Sequence, residues 1–128
     1  MIRAFVLVAV LVGLGLPAAL VYLPLAALTG NATPLYNIAL RIVRTAFRMA
    51  SIRVQVSGLE HVPSHIACIF MSNHISNLDP PALLPHIPGR TSAFLKSSLM
   101  RVPVLGFGFR LAEFVPVSRD GRQESAIE

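Results

Sequence analysis

Hydrophobic and polar positions divide the chain into zones of different period. Residues 4–40 carry no charged side chain, well beyond the about 20 apolar residues that span a bilayer. Pro17 and Pro24 interrupt this run, which allows either a kinked span or a re-entrant hairpin dipping into one leaflet. A secretory signal is the rival reading, because Arg3 precedes the apolar stretch; a signal core, however, extends over only about 7–15 residues. Over 35–50 the pattern becomes helical and two-faced. Arg41, Arg44 and Arg48 recur at spacings of three and four, while Leu35, Ile38, Ile42 and Met49 fall on the other side. A basic face opposite an apolar one suits a helix lying among anionic headgroups, with an ordinary surface helix as the alternative.

Past Ser51 the period shortens. Residues 52–56 alternate apolar and polar, which predicts a half-buried strand ended by Ser57 and Gly58. The unbroken apolar run 66–71 predicts a central strand covered on both faces. Asp79, Pro80 and Pro81 open a helix reaching about Pro85. A third strand is expected over 91–95, a helical stretch broken at Pro103 over 98–110, and a fourth strand over 114–117. Strands alternating with helices give an α/β fold class. The expected organisation is an N-terminal membrane helix or helical hairpin over 1–50, then an α/β portion with an incomplete sheet over 51–128.

Composition sharpens this picture. Hydrophobic residues make up 54% of the 128 and charged residues 13%, about half the share usual in a soluble domain. Eleven basic residues against six acidic leave a net charge of +5, and ten of the eleven are arginines. Guanidinium forks suit phosphate, whether on a lipid surface or on a phosphorylated substrate. Trp is absent and no basic stripe interleaved with aromatics occurs, so nucleic acid is not the expected partner. The single cysteine, Cys68, has no internal disulfide partner, and its apolar surroundings in sequence predict a buried structural thiol.

The candidate chemistry lies directly after the 66–71 run, at Asn73, His74, Ser76 and Asp79. Sites in open α/β sheets form outside the carboxyl ends of strands, which places His74 well. A histidine acting as a base needs a partner to fix its tautomer and stabilise its protonated form, and a carboxylate five residues on can fold back to it. Such a pair can activate a hydroxyl as a nucleophile. The same residues also fit a plain helix start, with Ser76 as N-cap and an acidic group three later, or with Asp79 as N-cap and Pro80 following.

The order Asn73, His74, Ser76, Asp79 resembles the first motif, Asn-His-x-Ser-x-x-Asp, of the 1-acylglycerol-3-phosphate acyltransferase family. The lead-in segment 54–63, Lys96 after a strand, and 114–119 ending in Arg119 are similar to that family in order and spacing. The resemblance implies that His74 is the general base, Asp79 its orienting partner, and Asn73 and Ser76 supports of the motif. It implies that Arg119, helped by Lys96, holds the phosphate of the acceptor. No metal or cofactor is implied. The co-substrate would be acyl-CoA or acyl carrier protein, the acceptor a lysophospholipid such as 1-acylglycerol 3-phosphate, and the product phosphatidate. The setting would be the inner membrane of a bacterium. The arginines after the apolar run outnumber Arg3 before it, which places the catalytic part on the cytoplasmic side.

The family's third motif, built on a Glu-Gly pair, is not found in this sequence. The chain is therefore expected to be the front portion of such an enzyme, and the alternative function is a membrane-anchored, catalytically inactive fragment or lipid-binding remnant. A histidine-water hydrolase is a weaker alternative, without a Gly-x-Ser-x-Gly elbow to support it. His61 and His65 have a metal-ligand spacing, but Pro63 between them argues against a shared helical face. His86 reads as a surface-loop residue, Gly106 and Gly108 as a bend in a membrane-facing helix, and Phe107 and Phe109 as lipid contacts.

Overall fold

The computed structural model describes residues 1–63, 66–73 and 75–118. They fall into two compact units, the first comprising 1–15 and 39–91, the second 16–38 and 92–128. Helix α1 (Ile2–Thr29) is continuous through Pro17 and Pro24. Each proline removes one backbone donor, yet the helix does not reverse, so no hairpin forms within α1. At 28 residues it is about 42 Å long, against about 30 Å of bilayer hydrocarbon. It is long and apolar enough to cross a membrane, and only 6% of its most apolar window is buried. Gly30, with φ of 66°, ends it, and helix α2 (Thr33–Met49) follows. The Asn31 carboxamide oxygen accepts from the Thr33 N–H at 3.0 Å and closes the turn between them.

In the first unit, Leu7 packs in a cluster with Ala46, Phe47 and Ala50, joined by Val10, Val43, Ile52 and Ala82. The start of α1 thus lies against the end of α2. Ala82 comes from the short helix α3 (Asp79–Leu83). The buried stripe of α2 runs through Tyr36, Ile42, Ala46 and Phe47, leaving Arg41, Arg44 and Arg48 off that stripe as expected. Met49, expected on the apolar face, is 59% exposed: it follows Arg48 by 100° around the helix, whereas Phe47 and Ala50 carry the stripe. α2 ends in a Schellman turn. Ile52 N–H donates to Phe47 O at 2.9 Å and Ser51 N–H to Arg48 O at 3.0 Å, with Ser51 left-handed at φ 55°.

Two of the expected strands do not form. Ile52 turns onto the Phe47 cluster, and 53–58 follow without regular structure. The apolar run 66–71, expected as a doubly covered central strand, is irregular and exposed, with Ile69 at 89% and Met71 at 91%. A central strand needs ladder partners on both edges and apolar layers on both faces; among the described residues this run has neither. Cys68 is consequently exposed rather than buried, its thiol donating to Ile66 O at 3.3 Å.

The other two strands form in the second unit. β1 (Phe94–Lys96) pairs in parallel with β2 (Val115–Val117), with Phe94 opposite Val115 and Lys96 opposite Val117. A parallel pair requires a crossover. Here it consists of a 3₁₀ turn (Ser97–Arg101) and helix α4 (Leu105–Leu111). The sheet is two-stranded among the described residues, so the fold is a partial α/β unit that follows a long apolar helix in the chain.

The crossover is held by close backbone approaches. A Cβ built on buried Gly106 would stand 2.2 Å from Met100 O, so only glycine fits there. Just before it, Val104 sits at φ 66° and ψ −58°, and Leu105 N–H donates to Pro103 O at 2.7 Å, a γ-turn costly for a β-branched residue. Gly106 therefore serves tight packing rather than a membrane-facing bend. α4 ends as α2 does, with Phe114 N–H donating to Phe109 O at 2.9 Å and Glu113 left-handed at φ 61°. Phe109 stacks on Phe114 with ring centroids 5.4 Å apart, the apolar contact typical of this turn; its expected role as a lipid contact gives way to this one.

Candidate active site

The loop leading into α3 is built around one carboxylate. Asp79 Oδ2 accepts from Ile75 N–H at 2.9 Å and from Ser76 N–H at 2.8 Å. Ser76 Oγ in turn accepts from Leu78 N–H at 3.2 Å, and Asp79 N–H donates to Ser76 O at 3.1 Å. The pattern is a pair of side-chain-to-backbone turns just ahead of the helix, with the acidic side chain reaching back to the N–H groups three and four residues earlier. Leu78, rather than Ser76 or Asp79, occupies the cap position itself, and Asp79 is the first helical residue. The helix continues into a 3₁₀ turn (Leu84–His86).

The carboxylate that the resemblance implies as the partner of His74 is thus also the one that braces the loop. Its oxygens offer about four acceptor positions. Two N–H bonds on Oδ2 fix the plane and position of the group with charge-assisted strength. Asn73 and Ser76 are exposed, and Asp79 is half-buried. His74 lies outside the described residues, but its chain neighbour Ile75 is one of the two donors to Asp79. The loop does not follow a buried strand, since 66–71 forms none.

Lys96 is exposed at the carboxyl end of β1 and in register with Val117. Because the strands are parallel, their carboxyl ends share one edge of the sheet, where α/β folds gather ligand groups. The chain continues from Val117 through Ser118 to Arg119, which lies outside the described residues. Asp79 belongs to the first unit and Lys96 to the second.

His61 is exposed and faces Glu60 at 3.4 Å, while His65 is outside the described residues. No group of three metal-binding side chains occurs among the described residues. His86, expected in a surface loop, is half-buried with Nδ1 2.9 Å from Ala82 O. It lines a groove of about 690 Å³ with Arg44, Arg48 and Arg53. The sequence marked Arg44 and Arg48 by their helical spacing. Arg53 and His86 join them only through the Schellman turn and the α3 segment, which no local pattern announces.

In chain order the described residues give a helix long and apolar enough to cross a membrane, a carboxylate-braced loop and a parallel β-α-β unit. The acyltransferase family model matches residues 53–128, and the chain belongs to the acyltransferase family. Neither the curated proteins nor the solved structures gave a match.

Proposed function

We propose that this acyltransferase moves a fatty acyl group from acyl-CoA or acyl carrier protein to the hydroxyl of a lysophospholipid, with 1-acylglycerol 3-phosphate as acceptor and phosphatidate as product. The observation that carries this reading is the Asp79 carboxylate, pinned by the N–H groups of Ile75 and Ser76 next to His74. His74 removes the proton from the acceptor hydroxyl as that oxygen attacks the thioester carbonyl. Asp79 orients the imidazole and stabilises its cation. Collapse of the tetrahedral intermediate expels the thiolate, which takes the proton back from His74. Asn73 and Ser76 support the loop. Arg119, helped by Lys96 at the carboxyl end of β1, holds the acceptor's phosphate.

The setting that fits this chemistry is a bilayer surface. α1 anchors the chain, and the arginines of α2 keep the catalytic part on the cytoplasmic side, in a bacterium the inner face of the inner membrane. Retention in the membrane pellet through alkaline carbonate extraction checks the anchor, and release into the supernatant opposes it. Acceptor identity is tested by supplying lysophosphatidate, glycerol 3-phosphate and lysophosphatidylcholine in turn, with wild type and Arg119→Gln. Lysophosphatidate is the preferred acceptor, and the variant raises its KM about tenfold or more. Equal use of lysophosphatidylcholine, or an unchanged KM, opposes the assignment.

A second reading, a lipid-binding chain without catalysis, draws on the exposed apolar run 66–71, where Ile66, Ile69 and Met71 are open to lipid or a partner. It predicts membrane binding with no acyl transfer.

A further inference from the structure

The groove between the end of α2 and the α3 segment is not used by the proposed chemistry. Arg44, Arg48, Arg53 and His86 line it, no acidic side chain is among its lining residues, and Val43, Phe47 and Ile52 supply apolar wall. Arg44 is held in place by a hydrogen bond from its Nη2 to Pro85 O, which leaves the remaining guanidinium donors of its fork. Arg48 and Arg53 are exposed and make no ion pair among the described residues. His86 Nδ1 is engaged at Ala82 O, so its Nε2 is the ring atom left to face a ligand.

Three arginine forks without a counter-charge among the described residues call for an anion, and the apolar wall calls for one attached to a carbon skeleton. The position of the groove narrows this further. Phe47 both lines the groove and packs in the cluster of Leu7, which belongs to the second turn of α1; the first turn carries exposed Ile2 and Phe5 with Arg3. A helix end with outward apolar side chains and an arginine marks the boundary between acyl chains and headgroups.

We propose that this groove holds the phosphate of an anionic phospholipid as a bound anchor, separate from the acyl acceptor. The arginines grip the phosphate, and the glycerol and upper acyl chains lie along Phe47 and Ile52. The proposal rests on α1 lying in the membrane, which carbonate extraction examines independently.

The test uses the full chain in detergent, titrated with phosphatidylglycerol, phosphatidylcholine or inorganic phosphate and read by native mass spectrometry. Wild type, Arg48→Gln/Arg53→Gln and Arg101→Gln are compared, the last removing an exposed arginine of the second unit. Phosphatidylglycerol binds at least tenfold tighter than phosphatidylcholine. The double variant, with unchanged helical circular dichroism, weakens it about 30-fold, and Arg101→Gln changes it less than twofold. Equal binding of the two lipids overturns the proposal, as does an equal loss in Arg101→Gln, which would mean general charge attraction. Inorganic phosphate binding as tightly as the lipid would make the groove a free-anion site and also overturn it.

Discussion

Replacing Asp79 separates its two roles, because asparagine keeps an acceptor oxygen while alanine removes it. In the structure, one oxygen takes N–H bonds from Ile75 and Ser76 at 2.9 and 2.8 Å. Bonds to an ionised acceptor contribute about 1.5–3 kcal/mol each when shielded. Ile75 is 97% exposed, so water competes, and the total is closer to the about 1–2 kcal/mol lost with a helix cap. Asp79→Ala therefore loosens the loop by about 1–2 kcal/mol, read as faster hydrogen exchange at the amides of Ile75 and Ser76. Asp79→Asn retains most of that protection, because its carbonyl oxygen replaces Oδ2. Acyl transfer behaves differently. A carboxylate that holds a histidine base and stabilises its cation is worth about 10²–10⁴ in rate, so kcat falls that far in both variants. The assay is kcat/KM for thioester-dependent acyl transfer, alongside exchange in the same preparations. Wild-type turnover in Asp79→Asn would refute the reasoning and reduce Asp79 to a brace of the loop.

Other perturbations probe the frame. Gly106→Ala places a Cβ 2.2 Å from Met100 O, so the backbone must move; a net loss of about 1–3 kcal/mol outweighs the gain of about 1 kcal/mol in helix propensity. Gly108→Ala meets only Leu23 Cδ2 at 3.6 Å and is neutral or stabilising, so thermal melts of the two variants in detergent diverge in direction. Ser51→Gly relieves a left-handed residue at φ 55° and raises stability by about 0.5–1 kcal/mol, and an unchanged or lower Tm contradicts the Schellman assignment. Phe47→Ala empties the centre of the Leu7, Ala46 and Ala50 cluster and costs about 3 kcal/mol, measured by urea unfolding in detergent micelles.

Helices were legible in the sequence where one periodicity decided them. The uncharged run became α1, and the arginine spacing located α2, because membrane-length apolarity and a two-faced pattern are local properties. Strands depend on partners. The runs 94–96 and 115–117 found each other, whereas 66–71 carries the residues of a buried strand and lies exposed because nothing described pairs with it or covers it. Met49 was misplaced for a related reason: hydrophobicity assigned it inward, but the small Ala46 and Ala50 allow the close packing that sets the buried face. In the site, a helix start at Asp79 was legible from Asp79, Pro80 and Pro81, but the cap falls on Leu78 rather than Ser76 or Asp79, whose side chains instead bond N–H groups of the preceding turn. The basic groove was not legible, because Arg53 and His86 reach Arg44 and Arg48 through chain reversal rather than spacing.

The central claim is that His74, as general base with Asp79 as its partner, catalyses the acyl transfer. The direct measurement is transfer of a labelled acyl chain from acyl-CoA to lysophosphatidate by membranes holding either the wild-type chain or His74→Ala at matched abundance. Labelled phosphatidate from the wild type, and a loss of at least about 10³-fold in the variant, is the predicted result. Equal transfer by both would contradict the account, as would no transfer from a wild-type chain shown to be in the membrane, which favours the lipid-binding reading.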